Sequence, residues 1–140
     1  MIRVEHLCDR PMIRKLCGGE RAPFCAETVG FAFWKTIRTG EIFAALPCEQ
    51  AMAVIAHEIG HIVHWHIEKR MLWLVTGRAF FDTAGFLALC EAQEMEADAY
   101  AAAKGHGPAL LALLARMPDN KIDGYPTPKE RIERLKCLVS

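Results

Sequence analysis

The chain has 140 residues, a single domain's length, and 52% of them are hydrophobic, enough to bury a real core. Its 17 basic and 17 acidic residues cancel, with no block of like charge, which argues against nucleic acid as a partner. Arg3 and Glu5 put charges into the first six positions, where a secretion signal needs an apolar run. Together with six cysteines (Cys8, Cys17, Cys25, Cys48, Cys90, Cys137) that form no C-x-x-C pair, this points to a cytoplasmic protein with reduced thiols. A disulfide among Cys8, Cys17 and Cys25 stays open.

Residues 1–22 read as an extension before the main body of one domain, 1–140. Within them Pro11-Met12-Ile13-Arg14-Lys15-Leu16-Cys17 has the form of a short helix, closed by Gly18-Gly19. Residues 24–46 change character. Glu27 to Trp34 and Glu41 to Leu46 are rich in aromatic and β-branched residues, and Lys35 to Gly40 between them carry turn chemistry. The expectation is a β-hairpin or small antiparallel sheet. Its edge could accept a peptide as an added strand.

Pro47 opens a helix expected over 48–69, largely apolar through Ala51, Ala53, Val54, Ile55 and Ile59. It carries His57-Glu58-Ile59-Gly60-His61, an H-E-x-x-H. Four residues make about one helical turn, so His57 and His61 can aim two imidazoles at one metal ion. Glu58 then sits beside the metal's water as a general base. That is the donor set of a zinc hydrolase. His64 shares the face of the motif histidines but stands about 10 Å of rise from His57, and His66 points roughly the other way. Both are expected to be non-ligands.

The most apolar stretch, 71–90, is broken by Arg78 and Asp82 into pieces far short of the about 20 residues a bilayer span needs. It reads as core and cleft lining, with peripheral membrane contact left open. Asp82-Thr83 form a helix N-cap, and a second long helix follows over 84–104, ended by Gly105. On it Glu94 and Asp98 lie four apart, with Glu96 on the opposite side. Two readings stand at this point: Glu94 as a third ligand with Asp98 supporting a ligand histidine, or a solvated acidic face. The helix taken alone favours the second. A third, apolar helix spans 109–117. Thr127-Pro128-Lys129-Glu130 has the form of a capping box opening a last helix over 131–138.

Three pieces, in order, resemble the zinc metallopeptidases grouped with the HtpX heat-shock endopeptidase and the CAAX prenyl endopeptidases. His57 to His66 is similar to that family's H-E-x-G-H-x-x-x-x-H, and Glu94-Met95-Glu96-Ala97-Asp98 to its E-x-x-A-D. Tyr125-Pro126-Thr127-Pro128-Lys129-Glu130-Arg131-Ile132 is similar to its closing H-P-P-T-x-E-R-I, with Tyr125 where the family has His. The resemblance covers about 24–138. It implies an α+β fold, a mainly helical zincin-like domain with a small antiparallel sheet or hairpin before the H-E-x-x-H helix. It also implies one Zn²⁺ held by His57, His61 and Glu94, Asp98 behind them, Glu58 as base, and a peptide or protein substrate. Tyr125, Tyr100 and His106 are candidate oxyanion donors. The rival readings are a regulatory anti-repressor-type protease with one dedicated substrate and a catalytically silent zinc-stabilised binding module.

Overall fold

A computed structural model describes residues 2–6 and 26–139. Residues 7–25, with the expected short helix at 11–17 and Cys8, Cys17 and Cys25, lie outside the described residues. Three strands come first: β1 (Arg3–His6), β2 (Ala26–Phe31) and β3 (Trp34–Thr39). Then follow helices α1 (Glu41–Ala44), α2 (Cys48–Val63), α3 (His66–Val75), α4 (Arg78–Phe81), α5 (Thr83–Ala101), α6 (Gly107–Leu114) and α7 (Pro128–Val139). A π-helical turn, Ala102–His106, joins α5 to α6. The class is α+β, mostly helical with one small sheet.

The antiparallel hairpin is present, but it is displaced along the chain. Lys35 to Thr39, expected as the turn, are the central strand of a three-stranded sheet ordered β1-β3-β2, and Glu41–Ala44 is a helical turn rather than a strand. β1 pairs with β3 in parallel, so the sheet is mixed. The polar look of β3 misled because its buried lysine has partners outside the strand. Lys35, 4% exposed, lies with Nζ 2.8 Å from Glu68 Oε1 and donates to the Ile62 carbonyl at 3.3 Å. The real turn is Ala32-Phe33. Ala32 takes φ 52°, strained for a residue with a Cβ, and its N–H donates to Glu68 Oε1 at 3.0 Å.

The motif helix also departs from expectation. It stops at Val63, and Trp65 stands in the left-handed region (φ 58°, ψ 37°) before α3 begins. Lys35 lies over the Trp65 ring at 4.7 Å and caps the break from the sheet side. The stretch 71–81 is not core: Leu72, Val75, Phe80 and Phe81 are exposed, Phe81 by 94%. Only Ala79 is buried there, and Trp73 packs on Phe86 with Arg78 over its ring.

The core sits between α2, α5, α6 and α7: Ala53, Ala56, Ala101, Leu110, Leu114 and Leu135. Small residues set its geometry. A Cβ on Gly60 would lie 3.0 Å from Ala97 Cα and 3.1 Å from Tyr100 Cβ, so the glycine lets α2 and α5 approach closely. Gly105, at φ 87°, turns the chain into α6. Asp82 caps α5 by accepting from Gly85 N at 2.9 Å. The capping box of α7 closes both ways, Glu130 N to Thr127 Oγ1 and Thr127 N to Glu130 Oε2.

Candidate metal centre

Close packing at Gly60 brings one turn of α2 against one turn of α5. His57, Glu58 and His61 from the first and Glu94 and Asp98 from the second are all buried. Three ligand-type atoms converge. His57 Nε2 is 3.1 Å from His61 Nε2 and 3.3 Å from Glu94 Oε2, and His61 Nε2 is 3.5 Å from Glu94 Oε1. A tetrahedral ion with bonds of about 2.0–2.1 Å has ligand-to-ligand edges of about 3.3 Å, so the donor set fits zinc.

The outer nitrogens are already engaged. His57 Nδ1 lies 2.8 Å from Asp98 Oδ1, and His61 Nδ1 lies 2.8 Å from His66 Nδ1. A His57 proton on Nδ1, donated to Asp98, leaves its Nε2 lone pair facing His61 and Glu94. Asp98, 1% exposed, also accepts two bonds from Arg131, Nε to Oδ2 at 2.7 Å and Nη2 to Oδ1 at 2.6 Å. Burial works against its charge, but Arg131 and His57 outweigh it and hold the carboxyl below its ordinary range.

Without a cation the cluster keeps a proton instead. Burial opposes charge on His57, yet hydrogen bonds with Asp98 and Glu94 prevail and push its pKa up to about 9. Burial likewise opposes charge on Glu94, and the two imidazoles overcome it, drawing its pKa down. His66 goes the other way: burial lowers its pKa to about 4 against the pull of Glu96.

Glu58 carries no part of this cluster. Its Oε2 accepts from Thr28 Oγ1 on β2 at 2.6 Å. It lines a cleft of about 400 Å³ with Ala26, Glu27 and Thr28 on one wall and Val54, Leu110, Leu113 and Met117 among the apolar lining. Arg70 and Tyr125 line it too. Arg70 donates through Nη2 to Glu94 Oε1 at 3.1 Å and through Nε to Gln93 Oε1 at 2.6 Å. Of the three oxyanion candidates Tyr125 lines the cleft. Tyr100 meets the His64 ring edge-on at 5.9 Å, and His106 ends the π turn.

Sequence reasoning passed over four side chains here: Arg131, Arg70, Thr28 and the inward turn of His66. Arg131 had a signal, its place in the closing motif. The others depend on tertiary placement. His66 is 1% exposed rather than turned away, because the break at Trp65 swings it back beneath His61. Among the described residues a second group, His64, His66 and Glu96, also has ligand-type atoms within 4.8 Å of one another.

No curated protein and no solved structure matches the chain. The family model for peptidase family M48 matches residues 35–116, more than half of the sequence, from β3 through α6. The chain belongs to peptidase family M48, and so among the metallopeptidases.

Proposed function

We propose that the protein is a zinc-dependent endopeptidase of the HtpX and CAAX prenyl endopeptidase type, working as one domain over 1–140. His57, His61 and Glu94 would hold the ion, with Asp98 behind His57. The observation that carries this reading is the convergence of two imidazole nitrogens and a carboxylate at 3.1–3.5 Å in a buried site, both outer ring nitrogens already engaged. Family membership supports the metallopeptidase part. The HtpX-type part is supported by the closing segment from Tyr125, beyond the matched residues, whose Arg131 grips Asp98.

Bound there, zinc supplies a Lewis acid and a water acidified toward pH 7. The chain's own groups do the rest. Glu58 takes the proton of the attacking water and returns it to the leaving amine. Thr28 holds one carboxylate oxygen of Glu58, Oε2, and so orients the other. β2 is an edge strand lining the cleft through Ala26, Glu27 and Thr28, so an extended peptide can align beside it by main-chain hydrogen bonds. Tyr125 is the oxyanion donor this reading favours, because it lines the cleft.

The test joins metal content to activity. Wild type purified without chelator should carry one zinc per chain and cut an unstructured protein such as casein, losing activity to chelator. Glu58→Gln should keep the zinc and lose about 10²–10⁴-fold in kcat. Glu94→Ala should lose the metal. Wild type that holds no zinc, or Glu58→Gln at wild-type rate, refutes the reading.

A further inference from the structure

His66 is one of the most deeply buried polar groups of the described residues, yet it belongs neither to the His57–His61–Glu94 cluster nor to the apolar core. Its place is made at a cost: Trp65 adopts a left-handed backbone that a residue with a Cβ rarely takes, and Lys35 spans the break, bonding the Ile62 carbonyl before it and Glu68 after it. Were α2 to continue unbroken, residue 66 would turn roughly 140° from residue 61. Instead His66 Nδ1 lies 2.8 Å from His61 Nδ1, and His66 Nε2 lies 2.9 Å from Glu96 Oε2.

Proton bookkeeping gives these two contacts one direction. A neutral imidazole has one N–H. In the proposed function, on which this chain of bonds rests, His61 is a ligand through Nε2. With that lone pair on the ion, the His61 proton sits on Nδ1 and is donated to His66 Nδ1. The His66 proton must then sit on Nε2, where the Glu96 carboxylate accepts it. Every donor meets an acceptor, and the chain runs from the metal centre to a carboxylate whose side chain is 46% exposed.

We infer that His66 and Glu96 are positioning residues for the reaction: a Glu96–His66–His61 hydrogen-bond chain fixes the tautomer and ring orientation of His61, as Asp98 does for His57. Each ligand histidine then has its own outer partner, one from α5 directly and one relayed across the helix break. Outer partners of this kind contribute about 10–100-fold to metal affinity or activity.

His64 supplies the competing arrangement. It stacks on His66 with ring centres 5.5 Å apart, its Nδ1 pairs with the Gly60 carbonyl at 2.9 Å, and its Nε2 is 3.8 Å from Glu96 Oε1. A second cation held by His64, His66 and Glu96 would need the His66 Nε2 lone pair, which in the chain carries the proton. The two arrangements exclude one another.

The experiment compares wild type, His66→Ala, His66→Gln and His64→Ala by zinc counting, chelator competition for affinity, and kcat and KM at saturating zinc. Nitrogen-15 NMR of the zinc-loaded wild type reads the histidine tautomers without any substitution. Expected are one zinc per chain in wild type and zinc binding about 10–100-fold weaker in His66→Ala. At saturating zinc kcat should fall with KM little changed. His66→Gln should recover most of the loss, since its amide offers one acceptor and one donor at similar reach. The NMR should place protons on His61 Nδ1 and His66 Nε2. Wild-type zinc affinity in His66→Ala overturns the inference while leaving the proposed function standing. So do two zinc ions per chain with one lost in His64→Ala; a proton on His66 Nδ1 donated to His61 would overturn the inference and His61 as a ligand together. Wild type that binds no zinc takes down both.

Discussion

His57 is where opposing forces meet most sharply. Its pKa, raised to about 9 in the metal-free protein, means that below that pH an incoming ion must displace a proton. Zinc affinity should therefore fall about tenfold for each pH unit below 9 and level off above it. Calorimetric titration in buffers of different ionisation enthalpy would read the one released proton. Asp98 is the second pressure point. Asp98→Ala strands the Arg131 guanidinium, and removing one partner of a buried pair costs about 3–5 kcal/mol. A denaturant titration of the zinc-free protein should show that loss. At this scale the sequence is legible where chemistry follows local spacing: His57, Glu58 and His61 within one turn. It is silent on Thr28 and Arg70, which reach the site from a strand and a helix whose docking no local pattern encodes.

Elements decide whether those residues meet. α2 and α5 approach because Gly60 faces Ala97, and a methyl group there would press on backbone 3.0 Å away. Gly60→Ala should lower stability by about 1–3 kcal/mol and loosen zinc binding as Glu94 retreats from the histidines. Thermal melts with and without zinc separate the two effects. Helix periodicity and caps made α5 and α7 readable in advance, down to the Thr127–Glu130 box. The break after Val63 was not, because a left-handed tryptophan has no local signature; it is held by Lys35 from another element. β3 was misread for a related reason. Its buried lysine is tolerable only because Glu68 and the Ile62 carbonyl wait for it across the fold.

Across the whole molecule, among the described residues, no helix is long and apolar enough to cross a membrane. The apolar stretch 71–81 lies on the outside, in α3 and α4, while the core is built from α2, α5, α6 and α7. That distribution was out of reach of composition, which cannot tell an exposed Phe81 from a buried Leu135. The final helix reaches the candidate metal centre as well as the core. Leu135 is fully buried, and Arg131, one turn earlier, holds Asp98. Arg131→Met should leave α7 docked through Leu135 but weaken zinc binding, by chelator competition, since Asp98 loses its counter-charge.

This brace also orders events in time. A ribosome delivers His57, His61 and Glu94 well before Arg131, so a growing chain carries the three proposed ligands while Asp98 still lacks its cation. Asp98 gains its counter-charge only when α7 docks. On the proposed function, cutting would then begin only after the earlier part of the chain has had its chance to fold.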